Sequence, residues 1–291
     1  PNLPTDAWSQ CTIITPHTVP KYFNRFRDEV MHKLTQFKWV PKQGALDRVF
    51  EVMQPAVRFT LDDVVELPEL IERTVEIDMG PKQAKVYKQM EEQAHTMIAS
   101  KEITAMNAGA VLNKLLQIST GYVYTREGEV VALDNDERLT ALVDAVNSTD
   151  RKVIVFVPFV HALEAIQKRL THEGYDVRAV SGATSKGDRD EAFNLFQNSS
   201  AVKVLVAHPQ CMAHGLTLTE AKTVIYYSNN FDLEVRLQSE DRAHRIGQTK
   251  SVTYIDFISP NTVDEHIVKA LRSKINIASQ RSEEHTSELQ S

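Results

Sequence analysis

Two arginines near the end of the chain are the residues whose type and spacing best suit binding chemistry. Arg242 and Arg245 lie in residues 238–248, which read QSEDRAHRIGQ. Read as a helix that ends at Gly247, this segment projects Gln238, Arg242 and Arg245 from one face, at positions i, i+4 and i+7. Each guanidinium offers a planar fork of donors that matches a phosphate. The spacing predicts an anion site, although an isolated arginine pair of this kind is more often surface charge on a solvated helix.

Composition limits the class of protein. The chain has 291 residues, of which 42% are hydrophobic, enough for one large or two modest domains with a buried core. A net charge of -6 argues against a protein that coats nucleic acid over its whole surface, but it allows a local basic cleft. Cys11 and Cys211 are too far apart in sequence for a disulfide framework or a metal-ligand spacing, which is typical of a reducing compartment. No apolar run is long enough to span a membrane, so we expect no membrane partner.

Strands and helices alternate after residue 150. Residues 152–157 are a short β-branched run, which predicts a strand that is buried on both faces. Further strands are predicted at residues 176–180, 202–207, 223–228 and 251–258. Amphipathic segments between and after them predict helices at residues 160–172, 185–197 and 262–278. This order predicts an α/β fold, a parallel sheet with helices on both faces. Ligands of such sheets bind beyond the carboxyl ends of the strands.

The first half of the chain is mostly helical in pattern. Helices are predicted at residues 5–16, 22–34, 80–103, 110–119 and 133–146, with one strand at residues 74–79. We therefore divide the chain into a helical segment (1–76), a helical linker and lead-in (77–150) and an α/β domain (151–280). Residues 281–291, RSEEHTSELQS, match the translation of a sequencing-library adapter. We expect this tail to be a disordered artefact and natural sequence to stop near residue 280.

Three segments carry a resemblance to a known family. Residues 238–248 resemble the last motif of Swi/Snf-type superfamily-two DNA helicases and translocases, which reads Gln, three residues, Arg, two residues, Arg, Ile-Gly-Gln. Residues 208–221, HPQCMAHGLTLTEA, resemble the fifth motif of the phage-like and bacterial members, with Ala213 and Thr217 in place of the usual Gly and Asn. Residues 181–196 resemble a Gly-x-Thr-x-x-x-x-Arg segment. The resemblance covers most of residues 1–280 and implies a C-terminal RecA-like lobe (lobe two), preceded by the end of lobe one.

The resemblance also implies roles for individual residues. Arg245, as arginine finger, and Arg242 would reach the γ-phosphate of ATP, with Gln238, Asp241 and Gly215 assisting nucleotide binding. The residues expected to contact the DNA backbone lie in two loops: Ser181, Gly182, Thr184, Lys186, His214 and Thr217. No metal ligand is expected in this lobe, because lobe one would bind most of the ATP and its Mg²⁺. The expected partner is DNA, in duplex form, and the expected location is the cytoplasm of a bacterium or a phage-infected host cell.

Two sequence elements that ATP hydrolysis needs are missing. None of the ten glycines is followed by lysine, so there is no phosphate-cradling GxxxxGK[ST] loop, and there is no Asp-Glu-x-His or Asp-Glu-x-Asp box. In the family, both lie in lobe one. We therefore expect this chain to be a fragment of an ATP-dependent helicase or translocase that hydrolyses ATP negligibly by itself. The alternative is a non-catalytic DNA-binding or scaffold module with the same fold. A nucleotide-sugar transferase would leave the spacing of residues 238–248 unexplained.

Overall fold

The structure, a computed structural model, describes residues 3–36, 38–55, 68–99, 105–125, 127–212, 217–245, 248 and 250–275. The chain divides into two units, Pro1–Glu66 and Leu67–Ser291. This boundary precedes the one that we placed after residue 76. The expected adapter-derived tail, residues 281–291, lies outside the described residues.

The first unit packs three helices and a small hairpin around its own core. Its elements are α1 (Ala7–Ile14), α2 (Phe23–Val30), β1 (Met31–Lys33), β2 (Trp39–Pro41) and α3 (Ala45–Met53), with a 3₁₀ turn at Pro4–Asp6. Phe26, Val30 and Val52 are fully buried in this core. The predicted helix 22–34 is too long, because β1 pairs antiparallel with β2 directly after Val30. Leu34 consequently lies in the hairpin loop and is exposed.

The second unit is built on six parallel strands in the order β3–β10–β9–β6–β8–β7. These strands are β3 (Leu70–Glu76), β6 (Lys152–Phe156), β7 (Asp176–Val180), β8 (Val202–Ala207), β9 (Ala221–Tyr226) and β10 (Val252–Ile258). A separate antiparallel hairpin joins β4 (Tyr122–Tyr124) to β5 (Val130–Ala132). The parallel α/β sheet is confirmed, and the strand predicted at residues 74–79 begins earlier and forms one edge of it.

Helices cover both faces of this sheet. They are α4 (Pro81–Ala99), α5 (Ala105–Ser119), α6 (Asp136–Asn147), α7 (Val160–His172), α8 (Lys186–Asn198), α9 (Leu233–Glu240) and α10 (residues 263–275). None of the described helices is long and apolar enough to cross a membrane.

The two cores of the second unit follow from the alternation of side chains along each strand. On β6, Val153 and Val155 face a core that also contains Leu116 of α5 and Leu142 of α6. Ile154 faces the opposite core. Residues 77–150, which we treated as a linker, therefore supply helices to the same core as the sheet.

A buried arginine ties the carboxyl ends of β9 and β10 to three helices. The Arg138 guanidinium, on α6, donates to the carbonyl oxygens of Tyr227 (2.6 Å), Phe257 (3.0 Å) and Ser119 (3.0 Å). It also pairs with the Asp264 carboxylate of α10 at 2.7 Å, and both side chains are almost completely buried. Arg138 thus holds the backbone in place where the chain passes from β9 and β10 into the loops that follow them.

Candidate functional site

The loops at the carboxyl edge of the sheet are linked by backbone hydrogen bonds. The Val157 N–H donates to the Ala207 carbonyl (3.2 Å), the His208 N–H to the Val180 carbonyl (2.9 Å) and the Tyr227 N–H to the Phe156 carbonyl (2.9 Å). The first residues of the loops are therefore hydrogen-bonded to each other in the same order as the strands that they follow, which is β9, β6, β8 and β7. This edge is where the predicted site residues were expected.

The loop after β7 forms a tight turn that leads into α8. The Thr184 hydroxyl accepts from the Ser181 N–H at 2.9 Å, and the Ser181 hydroxyl accepts from the Ala183 N–H at 3.3 Å. Both hydroxyls keep a hydrogen to donate. Gly182 and Lys186 are exposed. Ser185 is the N-cap of α8, and its hydroxyl accepts a hydrogen bond from the Asp188 N–H. The predicted phosphate-contacting groups are therefore gathered in one turn.

The loop after β8 is described only in part. It begins with a 3₁₀ turn, Pro209–Met212, in which Cys211 and Met212 are buried. His214 and Gly215, both predicted site residues, lie outside the described residues. Thr217 is exposed, and Leu218 beside it is buried.

His208 connects the loops after β6 and β8. Its Nδ1 accepts from the Gln210 N–H at 3.3 Å. Burial lowers the pKa of His208, and a hydrogen bond to the Pro158 carbonyl opposes this shift. The imidazole is thus favoured in its neutral form, with an acceptor at one nitrogen and a donor at the other.

The arginine segment differs from the prediction. The helix α9 begins at Leu233 and already ends at Glu240, so Arg242 and Arg245 lie in turns beyond it and share no helix face with Gln238. The backbone after Glu240 is held by tertiary hydrogen bonds. The Arg242 carbonyl accepts from the Leu218 N–H at 2.9 Å. In a longer helix, this carbonyl would instead accept from an N–H of the same helix.

The charged residues of this segment are close in space. Asp241 is next to the end of α9, and desolvation raises the pKa of its carboxyl while the charges of Arg242, Arg245 and His244 oppose the shift. Both arginines are half-buried. Gln238, one turn back on α9, donates to the Glu234 carboxylate at 3.1 Å. Gln238 thus lies in the last turn of α9, and Asp241, Arg242 and Arg245 lie in the turns that directly follow this helix.

Gln248 joins the arginine segment to the loop after β8. Its Nε2 donates to the carbonyl oxygens of Ala243 (2.9 Å), Thr219 (3.1 Å) and Ala221 (3.2 Å). Its Oε1 accepts from the Lys222 ammonium. This buried amide, together with the Leu218–Arg242 bond, connects residues 217–222 with residues 242–248; we call these contacts the Gln248 clamp.

A buried polar network holds α9 against the sheet. The Arg236 guanidinium pairs with Asp256 of β10 and with Glu240, and it donates to Asn229 Oδ1 at 2.8 Å. It stacks 3.5 Å from the ring centre of Tyr226. Burial raises the pKa of the Glu240 carboxyl, and Arg236 opposes that shift. This network fixes the helix from which the arginine turn emerges.

Sequence reasoning placed the two candidate loops and the arginine segment together at one edge. The topology qualifies this, because residues 181–186 follow β7 at the carboxyl edge of the sheet. Residues 242–248 instead precede β10 and are hydrogen-bonded to Leu218, Thr219 and Ala221 at the start of β9, which is the amino end of these parallel strands. Sequence reasoning also missed the clamp and the network. Asp256, an acid within an apolar strand, was the available signal for a buried partner.

Comparisons with known proteins find similarity over much of the chain. Residues 136–247 match the helicase conserved C-terminal domain. The chain is 25% identical over 261 residues to the ISWI chromatin-remodeling complex ATPase CHR11 of Arabidopsis thaliana, covering 80% of this chain and 23% of that protein. It is 28% identical over 240 residues to the SWI/SNF-related matrix-associated actin-dependent regulator of chromatin subfamily A member 1 of Mus musculus, covering 72% and 22%.

The similarity extends to solved structures. The Sulfolobus solfataricus SWI2/SNF2 ATPase core in complex with dsDNA matches with a TM-score of 0.58 and 24% identity, over 93% of this chain and 58% of that chain. The chain spans less than a quarter of the length of the two curated relatives.

Proposed function

The chain contains the C-terminal RecA-like lobe of a Swi/Snf-type superfamily-two helicase, and on that premise we propose that it completes an ATP site shared with an upstream lobe. In this proposal the whole protein is an ATP-driven motor that moves along duplex DNA. The relatives named above are ATPases and chromatin regulators in name. One structural neighbour is a core bound to double-stranded DNA. ATP and DNA are therefore the partners that we assign.

Arg245 is the proposed arginine finger, and Arg242 the second cation on the γ-phosphate. What supports this assignment is their shared turn, next to a carboxylate that responds to both charges. Asp241 and Gln238 would orient these guanidinium groups, and Gly215 would line the same site. A finger of this kind contributes about 10³–10⁵ in rate, but only on a nucleotide that is already bound and aligned.

The upstream lobe would hold most of the nucleotide and its Mg²⁺. Within the described residues no three His, Cys, Asp or Glu side chains are grouped as metal ligands. The lobe described here would supply positive charge to the transferred phosphate and would not activate water itself. It is therefore expected to be inactive in hydrolysis when it is alone.

The DNA-contacting groups are proposed to lie in the loops that follow β7 and β8. In the first, the hydroxyls of Ser181 and Thr184, the Gly182 peptide and the Lys186 ammonium suit phosphate oxygens. In the second, Thr217 and His214 would contact the backbone in the same manner. Contacts of this kind position a protein on DNA without reading its sequence.

The Gln248 clamp is the observation that carries the proposal. It joins Thr217 and its neighbours, on the DNA side, to the turn of Arg242 and Arg245, on the nucleotide side. A shift of the arginine turn towards a γ-phosphate would therefore move the loop after β8. That coupling is what a translocase requires if each cycle of hydrolysis is to change its grip on DNA.

The experiment is an ATPase assay on the protein that includes its upstream lobe, with and without duplex DNA, in parallel with the 291-residue chain. We expect magnesium-dependent hydrolysis that duplex DNA stimulates in the first sample and background hydrolysis in the second. Turnover by the 291-residue chain alone would refute the shared site. DNA binding without turnover in the longer protein would favour the non-catalytic binding or scaffold module.

A further inference from the structure

The first unit carries a local excess of positive charge in a chain that is negative overall. Residues 17–48 contain seven Lys or Arg side chains and three Asp or Glu side chains, whereas the whole chain has 33 and 39. Most of these cations lie on α2 and on the β1–β2 hairpin that follows it. Such a patch in an acidic protein marks a surface for an anionic partner.

An aromatic ring in this patch contacts two of its cations. The Trp39 ring, on β2, has the Arg27 guanidinium 4.0 Å and the Lys33 ammonium 5.8 Å from its centre. Lys33 and Trp39 are direct cross-strand partners, so their side chains lie on the same face of the hairpin. Cation–π contacts thus hold both cations close to one aromatic ring.

Three lysines of the hairpin are not neutralised by acids. Lys33, Lys38 and Lys42 are exposed, and none of them pairs with a carboxylate within the described part of the chain. Lys42 instead donates to the backbone carbonyl of Asp28 at 2.6 Å. In contrast, Arg27 is paired with the Asp28 carboxylate at 3.0 Å. We call Lys33, Lys38 and Lys42, with Trp39 between them, the basic hairpin.

We propose that the basic hairpin binds the phosphate backbone of duplex DNA. This is a second DNA contact, on a different unit from the loops of residues 181–186 and 214–217, and it rests on the proposed function. From Lys38 to Lys42 the chain extends about 13 Å, which is the axial rise of about four base pairs of duplex DNA, so the lysines can reach more than one phosphate. Point charges on flexible lysine stems fit phosphates without reading bases, so binding is independent of sequence.

The test compares the 291-residue chain with two triple variants of equal charge change. Lys33→Gln/Lys38→Gln/Lys42→Gln removes the basic hairpin, and Lys85→Gln/Lys88→Gln/Lys274→Gln removes three exposed lysines from α4 and α10 of the other unit. Affinity for a fluorescein-labelled duplex is measured by anisotropy between about 50 and 200 mM KCl. Three lost phosphate contacts lower the salt slope by about 2.7, so the wild type should lose about 40-fold more affinity across this range than the hairpin variant.

The outcomes separate this proposal from the proposed function. Equal slopes for the hairpin variant and the control variant, with tight binding in both, would overturn the hairpin contact and leave DNA binding to the other loops. No binding by the wild type at low salt would overturn both. If the hairpin variant loses affinity for a polyglutamate peptide and keeps its affinity for duplex DNA, the partner is an acidic protein segment. The single reversal Lys38→Glu, at the exposed tip, should weaken DNA binding in the same direction, and unchanged binding would count against the proposal.

Discussion

Replacement of Gln248 by methionine would remove the amide of the Gln248 clamp while keeping a side chain of similar length. In the wild type, Nε2 donates to the carbonyl oxygens of Thr219, Ala221 and Ala243, and Oε1 accepts from the Lys222 ammonium. The side chain is only 5% exposed, so water would not readily replace these partners. We therefore expect the link between residues 217–222 and residues 242–248 to loosen.

The size of the effect follows from the hydrogen bonds lost. The amide NH2 has two hydrogens, so its three contacts count as two full donated bonds. At about 1 kcal/mol each, together with the carbonyl oxygens left without a donor, they give about 2 to 3 kcal/mol of local stability. Because about 1.4 kcal/mol is a factor of ten, the 2 kcal/mol estimate corresponds to local opening about 30-fold more often.

Hydrogen exchange measures this opening directly. The reporter is the Leu218 amide, which is buried and donates to the Arg242 carbonyl. We expect it to exchange about 30-fold faster in Gln248→Met. In the longer protein, the same variant should lower stimulation of ATP hydrolysis by DNA more than basal hydrolysis, because the two segments are no longer joined.

The control is Gln197→Met, which contacts the same loop through long, partly exposed bonds. Gln197 Nε2 donates to Thr219 Oγ1 at 3.3 Å, and its Oε1 accepts from the Glu220 N–H at 3.4 Å. We expect less than about 1 kcal/mol from this variant. Unchanged exchange at Leu218 in Gln248→Met, or an equal increase in both variants, would refute the clamp.

Three further predictions concern stability. Arg138→Met leaves the Asp264 carboxylate buried without its partner, so urea denaturation should detect a loss of about 3–5 kcal/mol. Adding Asp264→Leu should recover part of that loss, and no recovery would argue against the ion pair. Gly121→Ala should cost about 2–4 kcal/mol in the same assay, because Gly121 has φ +89° and an added Cβ would lie 2.2 Å from the Asn135 Cβ. Burial lowers the pKa of His208 in the folded state, so the unfolded state takes up a proton first as pH falls below about 6.5. Stability should therefore fall between pH 7.5 and 5.5, and His208→Asn should reduce this fall; an unchanged pH profile in that variant would exclude the imidazole as its source.

The sequence was most informative where local pattern and tertiary environment agree. Helix Val160–His172 and strands Asp176–Val180 and Val202–Ala207 have the predicted bounds. Val202–Ala207 is a mostly apolar run in the middle of the sheet, a pattern that surface segments do not share. Ser185 signalled the start of α8 because its hydroxyl satisfies a free N–H of the first turn.

It was least informative where long-range hydrogen bonds decide the backbone. The helical spacing of Gln238, Arg242 and Arg245 is real in sequence, yet the chain leaves the helix at Glu240. The Leu218 N–H, which donates to the Arg242 carbonyl oxygen, comes from outside the segment whose period was read, and the Gln248 amide, which donates to the Ala243 carbonyl oxygen, follows the predicted end of the helix at Gly247. The hairpin after Val30 has the same cause, because the pairing of β1 with β2 overrides the helical pattern of residues 22–34.

The candidate site shows the same division. The arginines could be identified from their spacing and from the resemblance, because a guanidinium group can bind a phosphate whatever its neighbours are. The clamp could not, because Gln248 contacts residues 27 and 29 positions earlier in the chain. A single sequence does not reveal which distant carbonyl oxygens need a donor.

The central claim is that Arg245 completes an ATP site from this lobe. The most direct measurement is DNA-stimulated ATP hydrolysis and duplex binding by the protein that includes its upstream lobe, with Arg245→Ala beside Arg169→Ala. Arg169 is a surface arginine on α7 that pairs with Glu173. We expect Arg245→Ala to lower turnover by about 10³-fold or more and to change duplex affinity by less than about threefold, with Arg169→Ala close to wild type. Turnover by Arg245→Ala within about tenfold of wild type would contradict this claim.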